Sequence, residues 1–228
     1  MPLGRRRNRI DRSLRERGVP PEPQIREREV METLGPWDEA DAPEDRLERV
    51  DLGALRIPAI PGMELRLEVN PEQQVIGATL VLGDSTLSVA VFAAPRAGGV
   101  WDDVRGEIAR TASGQGGSLK EAEGPFGPEL AGTVTAMAQG AGQGGKPAPV
   151  KLPARFLGVD GPRWFLRGTV IGPAGAGGEA ARAVEDAFQQ IVVVRGTSPM
   201  PVREPLPLTL PPQAQQQLAE QGGEPPQA

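Results

Sequence analysis

Cysteine, histidine and tyrosine are all absent from the sequence. The first absence removes disulfide frameworks and thiol nucleophiles, the second removes the usual imidazole general base, and together they exclude sulfur- and nitrogen-ligated zinc. Chemistry would fall to Ser, Thr, Lys, Asp and Glu, and a metal would need oxygen ligands, which favour magnesium or calcium. Neither a cofactor nor a metal is expected. Lysine is scarce, at Lys120, Lys146 and Lys151, and asparagine occurs only at Asn8 and Asn70. Because Arg, Ala, Gly and Pro are abundant in their place, a GC-rich genome accounts for the bias, and the arginines carry less functional weight than their chemistry alone suggests. Long apolar runs are missing too: nothing approaches the ~18 residues of a membrane helix. The basic start is followed by Pro- and charge-rich residues where a signal peptide would be apolar. A cytoplasmic protein without a membrane span is expected.

What is present is Gly and Pro, 30 and 25 residues of the 228, concentrated at the ends and in two loops. Residues 1–35 have few large apolar groups and read as a disordered, charged tail, because they cannot bury enough surface to offset the entropy of ordering. Within it Arg5, Arg6, Arg7 and Arg9 open a basic block that gives way to an acidic one from Asp38 onward. Residues 36–198 read as one α+β domain and 199–228 as a Pro/Gln-rich flexible tail. The formal net charge of -5 speaks to solubility rather than to a partner.

Periodicity places the elements. Leu65, Leu67 and Val69 alternate with Glu64, Arg66 and Glu68, as in a half-buried strand. Residues 75–82 and 86–93 form two more strands across Gly83 and Asp84. Trp101, Val104, Ile108 and Thr111 then fall on one stripe of a helix over 100–112 that should lie on the sheet. Weaker strands, 119–123 and 129–137, flank a Gly-Pro-Phe-Gly-Pro turn, and 154–159 and 163–171 flank Asp160-Gly161, read as a hairpin turn. Ala180, Ala183, Val184, Ala187, Phe188 and Ile191 recur at helical spacing. The expected fold is α+β, a single antiparallel sheet with two main helices packed on it.

Motif matches are weak. Gly140-Ala141-Gly142-Gln143-Gly144-Gly145 satisfies G-x-G-x-x-G, but Pro147 and Pro149 prevent the helix that such a loop must open, so it reads as a hairpin loop. The pairs Asp102/Asp103 and Glu121/Glu123 read as a helix N-terminus complement and a solvated strand face rather than acid–base machinery. Arg163, Phe165 and Arg167 share one strand face opposite Trp164 and Leu166. There they would form an exposed patch able to grip a carboxylate or stack on a planar group, or else a ladder of pairs with acidic neighbours. Trp37, beside Asp38, either staples the entering segment onto its own domain or anchors a partner.

Gly35-Pro36-Trp37-Asp38, Arg56-Ile57-Pro58, Pro61-Gly62-Met63, the 124–130 and 156–168 segments, and residues 191–196 occur as an ordered set. In that set the chain resembles the actinobacterial family of domain of unknown function 3710. The resemblance implies no assigned activity, and the element order is similar to a Mog1/PsbP-like sandwich, which implies binding or assembly rather than catalysis. The leading expectation is a non-enzymatic protein-interaction or assembly module using Trp37, Asp38, Arg163, Phe165 and Arg167. The alternatives are a nucleic-acid-associated protein using its Arg-rich tail, and a small-ligand-binding protein or divalent-metal carboxylate enzyme.

Overall fold

The computed structural model describes residues 35–71, 74–138, 144 and 146–211. The Arg-rich segment with Arg5, Arg6, Arg7 and Arg9, and most of the Gly140–Gly145 motif, lie outside these residues. Among the described residues no helix is long and apolar enough to cross a membrane.

Seven strands build the main sheet: β4 (Glu64–Val69), β5 (Val75–Leu82), β6 (Ser85–Ala93), β7 (Ser118–Gly124), β8 (Gly127–Ala138), β9 (Ala148–Gly161) and β10 (Trp164–Ile171). They pair antiparallel in the order β4-β5-β6-β10-β9-β8-β7. A second sheet, β1-β11-β3-β2, joins Trp37–Asp38 (β1), Arg49–Asp51 (β2), Leu55–Pro58 (β3) and Val192–Val193 (β11), with β1 parallel to β11. The helices are α1 (Val100–Gly114) and α2 (Glu179–Gln189). The expected α+β single sheet carrying two helices is therefore corrected: the chain is mostly β, in two sheets. Strands of two to four residues carry no readable period, so the smaller sheet left no pattern to see.

The two helices lie on opposite faces of the main sheet. Leu87, Val89 and Val91 of β6, with Trp164, Leu166 and Val170 of β10, meet Val184, Ala187 and Phe188 of α2, together with Leu55 and Ile57 of the smaller sheet. This is the principal core. Gly168 belongs to it because a side chain there would collide with the Phe188 ring. Arg155 of β9 also faces α2, paired with Glu129 through two bonds of 2.8 Å and with Glu185 at 2.6 Å. Burial works against the charge of Arg155, yet bonding to the two carboxylates outweighs it and leaves the guanidinium above its usual range. The Pro-rich segment after Gly196, read from residue 199 as a flexible tail, instead bends and turns at Val202 and Arg203 and carries Leu206 and Leu208 into the same core.

The β9–β10 turn is displaced from the expected one. Trp164 pairs with Gly161, so Pro162 and Arg163 make the turn, and the positive φ of 64° falls on Arg163. Proline presets the first turn position and the next residue takes the left-handed one. Asp160 is thereby left in the strand.

Candidate functional site

Helix α1 packs on the face of β10 opposite the core, anchored at its first turn. Its N-cap, Gly99, has no side chain, and the first N–H groups are met from another strand: Asp160 accepts from Gly99, Val100 and Trp101 at 3.1, 3.2 and 3.3 Å. Trp101 donates its indole N–H to the Pro128 carbonyl at 2.6 Å. Its ring stacks on Phe165, with centroids 5.9 Å apart and planes 22° apart, and Phe165 in turn stacks on Phe92. Gly158 permits this seat, since a Cβ there would enter the Trp101 ring.

Beyond that anchored turn the helix stands off the sheet. Val104, Ile108 and Ala112 on α1 face Phe92, Phe156, Phe165 and Val134 across a cavity of about 410 Å³. Its polar wall consists of Glu107, Thr111, Gln115, Thr135, Arg167 and Arg203. Arg203 bridges the C-terminal segment to α1, donating to Glu107 at 2.8 Å and Asp103 at 3.1 Å. Thr111 donates to the Glu107 carbonyl. Arg167 has its guanidinium 5.3 Å over the Phe92 ring and makes no hydrogen bond or ion pair with any described residue. Burial pulls its affinity for the proton below the usual arginine range, with the field of Glu68 pushing the other way. The Thr135 hydroxyl is buried without a hydrogen-bond partner among the described residues.

Of the residues singled out in the sequence, Phe165 and Arg167 come together at this cavity. Their face is not the exposed patch expected, because α1 covers it and Phe165 is only 1% exposed. The run Trp164-Phe165-Leu166 was the available signal: consecutive large apolar residues mark a strand buried on both faces. The alternative of acidic neighbours pairing with Arg167 is not what the described residues show. Arg163 is separated from the pair by its turn conformation, and donates to the Gly196 carbonyl while its own carbonyl accepts from Arg195.

Trp37 and Asp38 lie in the smaller sheet, on the core side of β10. The Trp37 backbone N–H donates to Ile191, and Asp38 accepts the indole N–H of buried Trp164 at 2.7 Å. The carboxylate pairs are split among arginines: Asp102 and Glu121 contact Arg105, and Asp103 contacts Arg203. Sequence reasoning missed the cavity wall contributed by Phe92, Phe156, Thr135 and Arg203, which come from separate strands and the C-terminal segment.

The model of the family described as protein of unknown function (DUF3710) matches residues 35–217, so the chain belongs to that family. No curated protein and no solved structure matches it.

Proposed function

We propose that this DUF3710 member is a small-ligand-binding module, and that the space between α1 and the main sheet receives the apolar part of a small molecule. The observation that carries the reading is the cavity itself: about 410 Å³, walled on one part by phenylalanine and aliphatic side chains and on another by six polar or charged ones. That size and lining are those of preformed small-molecule sites. The anchored first turn of α1 favours a cavity that exists before the ligand arrives, which lowers the ordering cost of binding.

Binding without conversion suits the polar groups present. Glu107 is engaged by Arg203 and the Thr111 hydroxyl by a backbone carbonyl, so neither is set to activate the other as base and nucleophile. Trp37 and Asp38, on which docking of a protein partner would rest, are used inside the smaller sheet, and this favours the cavity over that surface.

The test is titration with the neutral fluorescent dye N-phenyl-1-naphthylamine. Saturable binding at one site per chain is expected, with loss of the signal in Ile108→Trp and Val104→Phe, which fill the space while leaving the Trp101 anchor intact. Undiminished binding by both filled variants, or no saturable binding by the parent protein, refutes the reading.

A further inference from the structure

We infer that the occupant of this cavity is a singly charged anion, a carboxylate on an apolar chain or ring, docked by its charged group on Arg167. The inference rests on the cavity-binding reading above and adds the chemistry of the ligand.

The cavity wall carries three charged side chains: Glu107, Arg203 and Arg167. Two of them cancel, because Arg203 is bonded to Glu107 and also to Asp103. Arg167 has no ion-pair partner among the described residues, only the more distant field of Glu68, and the Phe92 face it covers attracts the cation without accepting its N–H groups. A partly desolvated guanidinium with five donors and no acceptor is costly unless something completes it. No described residue gives it a hydrogen-bond acceptor, which leaves its donors open to a ligand at the cavity wall. Its planar fork suits a carboxylate, which can accept two parallel bonds.

A second, independent group points the same way. The Thr135 hydroxyl, carried by β8 rather than β10, is also buried at this wall without a partner among the described residues. A guanidinium without an ion-pair partner and an unpartnered hydroxyl, carried by different strands on a wall that also holds three phenylalanines, suit an occupant that is both apolar and polar.

The charge count limits the anion to one negative charge. A dianion would leave a surplus charge against the phenylalanine walls and near Glu107, with Glu68 adding a field of the same sign at Arg167. An alkyl phosphate should therefore bind no better than the matching carboxylate.

The experiment is displacement of the neutral dye from the full chain by decanoate, 2-naphthoate, decanol and decyl phosphate, repeated with Arg167→Met and Arg167→Lys. Decanoate or 2-naphthoate should displace the dye roughly ten- to hundredfold more effectively than decanol, the range for a hydrogen-bonded charge. Which of the two does so separates chain from ring as the apolar body. Arg167→Met should abolish the preference, read as the ratio of carboxylate to decanol displacement within the same variant, and Arg167→Lys should keep part of it. Should Arg167→Met not fold, Arg167→Gln supplies the same comparison.

Dye binding with equal potency of decanoate, 2-naphthoate and decanol overturns the anion assignment but leaves the cavity reading standing. Stronger displacement by decyl phosphate than by both carboxylates overturns the single-charge limit. A carboxylate preference that survives removal of the Arg167 charge overturns the site. Absence of dye binding, with no heat from either carboxylate in calorimetry, overturns both readings.

Discussion

Replacing Asp160 by alanine removes a helix cap delivered from a distant strand, and the consequence can be worked from the contacts. The carboxylate accepts from three N–H groups at the start of α1, at 3.1 to 3.3 Å. Loss of an ordinary cap costs ~1 kcal/mol, with an upper range near 2. Removing a carboxylate beside a helix N-terminus adds ~0.3–1 kcal/mol. Because these bonds lie at the long end of the N–H···O range, the lower half of each figure applies. The expected total is about 1.5 kcal/mol, or a fall of roughly 3–6 °C in Tm for a domain of this size.

Asp160→Asn keeps an acceptor oxygen and loses the charge, so it should fall between the parent and the alanine variant. The assay pairs thermal denaturation with amide hydrogen exchange. Because the core lies on the other face of the sheet, the fastest new exchange should appear in the first two turns of α1 and not in α2. A Tm change under about 1 °C with unchanged exchange in α1 refutes the capping role. Equal acceleration in both helices refutes the idea that Asp160 secures the cavity wall in particular.

Two further outcomes follow from the packing. Gly158→Ala places a methyl group in the space of the Trp101 ring, so about 1–3 kcal/mol of destabilisation should appear in urea unfolding, with weaker dye binding as α1 shifts outward. Glu129→Gln leaves buried Arg155 with Glu185 as its remaining carboxylate, and a loss approaching 3 kcal/mol is expected by denaturant titration; a change below about 0.5 kcal/mol would show the pair to be balanced by its desolvation.

How much of this could be read in the sequence depended on whether the determining contacts were local. The alternation of β4, the extents of β5 and β6, and the helical periods of α1 and α2 repeat within a few residues, and these elements stand where their periods place them, although on α2 Ala181 is buried while Ala180 and Ala183 are exposed. The smaller sheet gathers residues from positions 37, 49, 55 and 192. Pairing across such separations leaves no repeat in any one segment. The β9–β10 turn shows the competition between two local signals: Asp160-Gly161 supplies a residue tolerant of positive φ, but Pro162 fixes its own φ and moves the turn two residues on. Phe165 and Arg167 were legible as neighbours on one strand face. That the face is roofed was also encoded, since Trp101, Val104 and Ile108 need an apolar surface and Phe165 supplies one. The absence of a partner for Arg167 was not legible, because it depends on which side chains of four other strands fail to reach it.

The same strand thus serves two purposes on its two sides. Toward α2, Trp164, Leu166, Gly168 and Val170 fill a continuous core, and the indole N–H of Trp164, which would be costly to bury unsatisfied, is met by Asp38. Toward α1, Phe165 is stacked, Arg167 has no hydrogen bond or ion pair with a described residue, and the Thr135 hydroxyl on the same cavity's wall has no partner among them. A protein selected for stability alone would close such a space or pair such a cation, since lining atoms that face a gap lose dispersion contacts and an unpaired buried group loses its solvation. Here the large core on the opposite face can hold the sheet together whether or not the α1 side is filled, so incomplete packing is tolerable on that side. Local rules are obeyed where the structure must persist and broken where it has to receive something. What assigns this imperfection to binding is the space beside it: Arg167 and Thr135 line a cavity, whereas the Trp37 indole N–H and Arg105 Nη1, also without partners among the described residues, do not line it.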